Sequence, residues 1–154
     1  MVEIAARVEN FELPSTSGKR FSLQECSGKK LLIYFYPKDN TPGCTTQAQG
    51  FRDLYEEFVA AECVLIGVSR DSIRSHENFK AAQNLPFELL SDGDEALCAQ
   101  FSVIKEKMLY GKPGRGIERS TFLIDRQGVL RHEWRAVKVS GHAQEVLDLV
   151  KTLD

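Results

Sequence analysis

The chain has 154 residues, 42% of them hydrophobic and 27% charged, with a formal net charge of −2. A chain of this length buries roughly 70% of its unfolded surface in a single core, so one domain over residues 1–154 is expected. The faintly acidic balance excludes any global attraction to nucleic acid or anionic membrane. No apolar run reaches the roughly 18 residues of a membrane span, and the opening MVEIAARVENFELP lacks the apolar core of a signal peptide, so a cytoplasmic location is expected.

In chain order, short segments around Phe11 and Phe21 read as an N-terminal hairpin turning at Ser17-Gly18. LLIYFY (31–36) is a continuous apolar run ended by Pro37, as a buried strand would be. Phe51, Leu54, Tyr55, Phe58 and Val59 recur at helical spacing and form one apolar face. VLIGV (64–68) reads as a second buried strand, and residues 73–83 as a helix closed by Asn84 and Pro86. FELLSD (87–92) is a short strand, with Asp92-Gly93-Asp94 as turn and N-cap of a helix through Phe101.

Lys105, Lys107, Lys112, Arg115 and Arg119, interspersed with Gly111, Gly114 and Gly116, read as a solvated basic loop. GKPGRG has neither the spacing nor the Lys-Ser/Thr ending of a phosphate-binding loop. TFLID (121–125) and VLRHEW (129–134) flank Arg126-Gln127-Gly128 as a hairpin, and Val146, Leu149, Val150 and Leu153 mark a C-terminal amphipathic helix. Alternating strands and helices imply parallel strands covered by helices. The expected architecture is a thioredoxin-like α/β fold: a central mixed sheet, flanking helices and an N-terminal hairpin.

The chemistry turns on cysteine. Cys26, Cys44, Cys63 and Cys98 are scattered, as are His76, His132 and His142, and neither set has the spacing of a zinc site. A disulfide scaffold is not expected in a reduced compartment. By default each cysteine is a small buried hydrophobe. Cys44 is the exception, because Pro42-Gly43 forces a turn and the helical pattern begins beside it. A sulfur in the first turn faces unpaired N–H groups and the positive end of the helix dipole, which favour the thiolate.

An ionised sulfur alone falls far short of enzymatic acceleration, so further groups must orient a substrate and meet developing charge. Thr41 is placed to donate its hydroxyl to the thiolate or to a bound oxygen. Backbone N–H groups of Gly43 and Cys44 point the same way, and Arg119, just before STFLID, is the candidate cation. A cysteine hydrolase would need a histidine base beside Cys44. His76 and His132 are the available partners, and both read as surface or edge residues.

PKDNTPGC (37–44) resembles the PxxxTxxC signature of peroxiredoxins, and YPKDNTPGCTTQAQGFRD is similar to the bacterioferritin comigratory (Q-type) subfamily. LLSDGDEALCAQFSV, KEKMLYGKPGRGIERSTFLID and the C-terminal helix carry the likeness over nearly the whole chain. The resemblance implies that Cys44 is the peroxidatic cysteine, that Thr41 and Arg119 hold the peroxide and activate the sulfur, and that Pro37 shields the pocket. It implies attack on a peroxide oxygen, a sulfenic acid product and no metal or organic cofactor. Related Q-type proteins are frequently monomers, and a monomer is expected.

One departure matters. Many subfamily members carry a resolving cysteine five residues after the first, and others about 36 residues after it. Here those positions hold Gln49 and Lys80. The favoured expectation is one-cysteine cycling with an external thiol (thioredoxin, glutaredoxin or glutathione). Resolution by Cys98, or by Cys63 or Cys26, stays open, with Cys26 assigned to a surface segment able to pair between subunits. The alternative to an enzyme is a non-catalytic thioredoxin-like peroxide sensor or interaction module.

Overall fold

Strand-forming stretches gather into one twisted sheet in the computed structural model, which describes residues 2–109 and 111–154, with Lys107 and Leu109 described through their backbone. The side chain of Lys107, one of the basic stretch, therefore lies outside the described residues. β1 (Glu12–Ser15) and β2 (Lys19–Ser22) make the N-terminal hairpin, and β3 (Lys30–Phe35) leads to α1 (Pro42–Asp53) and α2 (Tyr55–Ala60). β4 (Cys63–Ser69), α3 (Ile73–Gln83), β5 (Glu88–Ser91) and α4 (Ala96–Gln100) follow. β6 (Ile104–Leu109) pairs with β7 (Lys112–Ile117), and β8 (Ser120–Ile124), β9 (Leu130–Trp134) and α5 (His142–Thr152) complete the chain.

The main sheet has the order β2-β1-β5-β4-β3-β8-β9. β3, β4 and β5 run parallel, while β8 is antiparallel to β3 and β9 to β8. Residues of a strand alternate between faces, so β3 divides the core in two. Leu31, Ile33 and Phe35 pack with Cys26, Leu97, Cys98, Phe101 and Phe122 on one side. Leu32 and Tyr34, followed by Tyr36, pack with Cys44, Phe51, Phe58, Phe79 and Val146 on the other. Lys30, which bounds the apolar run, is itself a buried strand residue. Its ammonium donates to the carbonyls of Val150 (3.0 Å) and Leu153 (2.8 Å), capping the C-terminal end of α5.

Three expectations are corrected. The apolar face over 51–59 is split: the helix breaks at Leu54 (ψ 4°), and α2 buries Phe58 while Val59 turns out to 53% exposure. The helix after β5 starts later than expected, with Glu95 as its left-handed N-cap (φ 64°). The buried Asp92 carboxylate accepts from Leu97 N (3.0 Å) and Cys98 N (2.7 Å), so Asp92 tethers the first turn from a distance. Finally, the basic stretch is not a loop. Six residue pairs from Ile104↔Ile117 to Leu109↔Lys112 build the β6–β7 ribbon, and backbone pairing supplies order that glycine-rich composition conceals.

Packing of α5 carries an acid-sensitive element. His142 is buried and shares a 2.9 Å hydrogen bond with Thr121 of β8. Burial pushes its pKa below the ordinary value of 6.5, with Glu145 opposing and Arg119 adding to the shift. A histidine easier to protonate when unfolded makes the unfolded state bind more protons, so stability falls as pH drops through about 6.5. Urea denaturation across that range is expected to show the decline, and His142→Asn is expected to flatten it.

Candidate active site

The site forms where β3 ends. Tyr36 and Pro37 carry the chain off the sheet, Asn40 adopts the left-handed conformation (φ 64°), and Thr41 is extended (φ −86°, ψ 153°) at the N-cap of α1. Left-handed backbone suits asparagine better than most residues, and Pro42 suits a first helical position, where no N–H is needed. The first bond of the helix runs from Thr45 N to the Thr41 carbonyl at 2.9 Å. Gly43 and Cys44 thus precede that bond, and their N–H groups have no intrahelical acceptor.

Cys44 faces inward and is 2% exposed. Arg119, in the two-residue link between β7 and β8, reaches it across the sheet end. Nη2 donates to the Cys44 sulfur at 3.4 Å and Nη1 to Oε1 of Gln47 at 2.6 Å. Cys44 and Gln47 are three residues apart and so share one helix face, which lets a single planar guanidinium engage both. A β-carbon on Gly43 would sit 3.2 Å from Nη2, so glycine there leaves room for the cation's close approach. A positive charge and a helix N-terminus therefore converge on one sulfur.

Thr41 is the N-cap of α1, three residues before Cys44, and its hydroxyl is bonded otherwise than expected. The Thr41 hydroxyl donates to the Lys38 carbonyl at 2.8 Å, so its proton is committed within the loop and its oxygen is left as an acceptor. Pro37 is half-buried at the strand end. Gln47 went unnoticed in the sequence, where a polar residue in an amphipathic helix reads as solvated. It is buried, and its Nε2 has no hydrogen-bond partner among the described residues.

The other cysteines are elsewhere. All four are unpaired and buried, which corrects the surface placement of Cys26. Cys26 and Cys98 lie in the core layer on the opposite side of the sheet from Cys44. Cys63 shares the Cys44 layer but pairs with Lys30 at the start of β3. The length of β3 separates them by roughly 16 Å at about 3.3 Å per residue, against the roughly 7 Å between α-carbons that a disulfide tolerates. Burial also holds their thiols protonated: Cys26 is raised to about 11 and Cys63 to about 12. Cys98 is raised further by burial, with Asp92 adding to it.

The usual partner positions are occupied structurally. Gln49 Nε2 donates to Gln83 Oε1 at 2.9 Å, tying α1 to α3, and Lys80 pairs with Glu88 and donates to Ser17 Oγ at 3.0 Å. His132 is exposed on the edge strand as expected, whereas His76 is fully buried, which corrects its reading as a surface residue. Its ring partners are Tyr36 and Asp39, which follow β3, and the Leu90 carbonyl of β5, rather than the sulfur.

The AhpC/TSA family model matches residues 4–133. A peroxiredoxin Bcp of Xanthomonas campestris pv. campestris is 50% identical over 151 residues, spanning 98% of this chain and 94% of the relative. Among solved structures, the X. campestris bacterioferritin comigratory protein, studied as trapped intermediate and ligand complexes for its alkyl peroxide reduction activity, superposes with a TM-score of 0.90 at 50% identity. That match covers 98% of this chain and 96% of the other. A cysteine-to-serine mutant of Xylella fastidiosa PrxQ superposes with a TM-score of 0.94 at 42% identity, covering 99% and 97%.

Proposed function

The chain belongs to the AhpC/TSA family as a peroxiredoxin of the bacterioferritin comigratory type, and from that premise we propose that it reduces hydrogen peroxide and organic hydroperoxides by one-cysteine cycling at Cys44. The observation that carries the reading is the Arg119 guanidinium held against the Cys44 sulfur at the start of α1. The thiolate attacks the terminal peroxide oxygen as the O–O bond breaks. The departing hydroxide or alkoxide takes a proton and leaves as water or alcohol, and Cys44 becomes a sulfenic acid. The Arg119 N–H groups stabilise charge on the oxygens in the transition state. The Thr41 oxygen accepts the peroxide's O–H, and Pro37 keeps water from the strand-end side.

Return to the thiol falls to an external reductant. A first thiol displaces water from the sulfenic acid to give a mixed disulfide, and a second thiol releases Cys44. Placement of Cys26 and Cys98 beyond the sheet, and of Cys63 at its far end, supports this route over an internal disulfide. With Cys44 this deeply buried, a bulky thiol reaches it after the first turn of α1 opens. The same reading has the protein act as a monomer in a reducing compartment such as the cytoplasm.

Replacing Cys26, Cys63 and Cys98 together by alanine is expected to leave turnover with the effective reductant unchanged. Hydroperoxide consumption is to be followed separately with thioredoxin, glutaredoxin and glutathione systems. A triple variant that still oxidises at Cys44 but no longer turns over would assign resolution to one of the three. Sulfenic acid formation in the native protein without turnover on any reductant would instead identify a peroxide sensor.

A further inference from the structure

We propose that the buried His76 ring clamps Asp39 and thereby sets the shape of the loop 37–43, making both residues positioning residues for the attack of Cys44 on peroxide. The inference rests on the peroxidase reading of Cys44. Both ring nitrogens of His76 meet acceptors: Nδ1 lies 2.7 Å from Asp39 Oδ2, and Nε2 lies 2.9 Å from the Leu90 carbonyl of β5. A carbonyl only accepts, so Nε2 carries a proton. Asp39 also receives the Tyr36 hydroxyl at 2.6 Å and the Ser75 hydroxyl at 2.8 Å. Burial pushes the Asp39 carboxyl up, but hydrogen bonds from His76, Tyr36 and Ser75 together outweigh it and hold the group below its ordinary value. The Asp39 carboxylate and the Leu90 carbonyl thus grip the His76 ring from its two nitrogens.

The clamp acts on a short lever. Asp39 is pinned a second time through its backbone, whose N–H donates to Asp71 Oδ2 at 2.7 Å. Its neighbour Lys38 offers the carbonyl that takes the Thr41 hydroxyl, and Asn40 on the other side holds the left-handed turn into α1. Fixing Asp39 therefore fixes the Thr41 oxygen and the entry of the helix that bears Cys44. Asp39, Asp71 and His76 bring ligand-type atoms within 4.8 Å of one another. Hydroxyl, amide and ring donors already occupy those carboxylates, so the trio is a hydrogen-bonded cluster and not a metal centre. A buried hydrogen-bonding group left without its partner is costly, so removing either half of the pair is disruptive.

The test compares native protein, His76→Gln, Asp39→Asn and the double variant, each folded and well below its melting temperature. Single-turnover oxidation of Cys44 by hydrogen peroxide and its alkylation by iodoacetamide are measured side by side. Each single change is expected to lower the peroxide rate constant by about 10- to 100-fold, the scale of an ångström-level misplacement, with alkylation unchanged and the double variant no slower than the worse single. A pair serving stability alone would lower the melting temperature and leave the ratio of the two rates as in the native protein, which overturns the proposal. Long-range ¹H–¹⁵N spectra of the native protein are expected to show a hydrogen-bonded proton on His76 Nε2. An Nε2 without that proton overturns the proposal even where a variant does not fold. Native protein inert to peroxide removes the peroxidase reading and this inference with it, whereas variants that react like the native protein remove this inference alone.

Discussion

Cys44→Ser is expected to fold and to consume no hydroperoxide above the background rate, a loss on the order of 10⁶-fold or more. The substitution exchanges one atom in a buried position, and the serine oxygen still accepts from Arg119, so the α1 entry and the packing around it survive. What disappears is the proposed nucleophile. An alcohol in the same place stays un-ionised near neutral pH and is far less reactive toward an O–O bond than a thiolate. The remaining cysteines do not substitute for it, because burial holds the thiols of Cys26, Cys63 and Cys98 protonated. Residual peroxide consumption tracks background, and circular dichroism matches the native protein.

Loss of Arg119 is the second large effect, and it divides into two parts. Arg119→Ala removes the only side-chain donor that reaches the Cys44 sulfur among the described residues. Removal of one transition-state donor of this kind costs about 10²–10³ in rate, so the oxidation step is expected to slow by that factor, with no comparable change in the later reductive steps. The substitution also strips Gln47 Oε1 of its 2.6 Å partner in a buried setting. An unsatisfied buried acceptor costs about 1–3 kcal/mol, a destabilisation visible in denaturant titration that leaves the protein folded at room temperature. Arg119→Lys restores the charge without the two-pronged fork and is expected to recover part of the rate. An alanine variant oxidised as fast as the native protein would falsify the role given to Arg119.

Much of this arrangement was legible in the sequence, for identifiable reasons. LLIYFY reads as a buried strand because six consecutive apolar residues leave no polar face, and β3 spans nearly that run. Cys44 was visible because Pro-Gly stops a strand and the apolar period resumes at once. Arg119 was visible by its position ahead of a strand together with the family resemblance. The helix over 73–83 matched α3 to its left-handed Asn84 cap.

What stayed hidden depends on partners remote in sequence. Gln47 is a buried residue because Arg119, 72 positions away, satisfies its carbonyl oxygen. His76 is buried because Asp39, 37 positions earlier, meets its ring nitrogen. Neither fact leaves a local trace, since isolated Gln and His in polar stretches have the composition of a solvated surface. The β6–β7 ribbon escaped notice because two-sided, glycine-rich strands lack the period-2 apolar alternation that marks a half-buried strand. Spacing offers the Thr41 hydroxyl to the thiolate or to a bound oxygen, and does not reveal that the Lys38 carbonyl takes its proton.

Brief peroxide treatment, trapping with a sulfenic-acid-specific dione and peptide mass spectrometry address the central point directly. The account predicts a trapped sulfenic acid on Cys44, thiols intact at Cys26, Cys63 and Cys98, and reversal on adding a reducing thiol before the trap. An untouched Cys44, or first oxidation at any other cysteine, would contradict it.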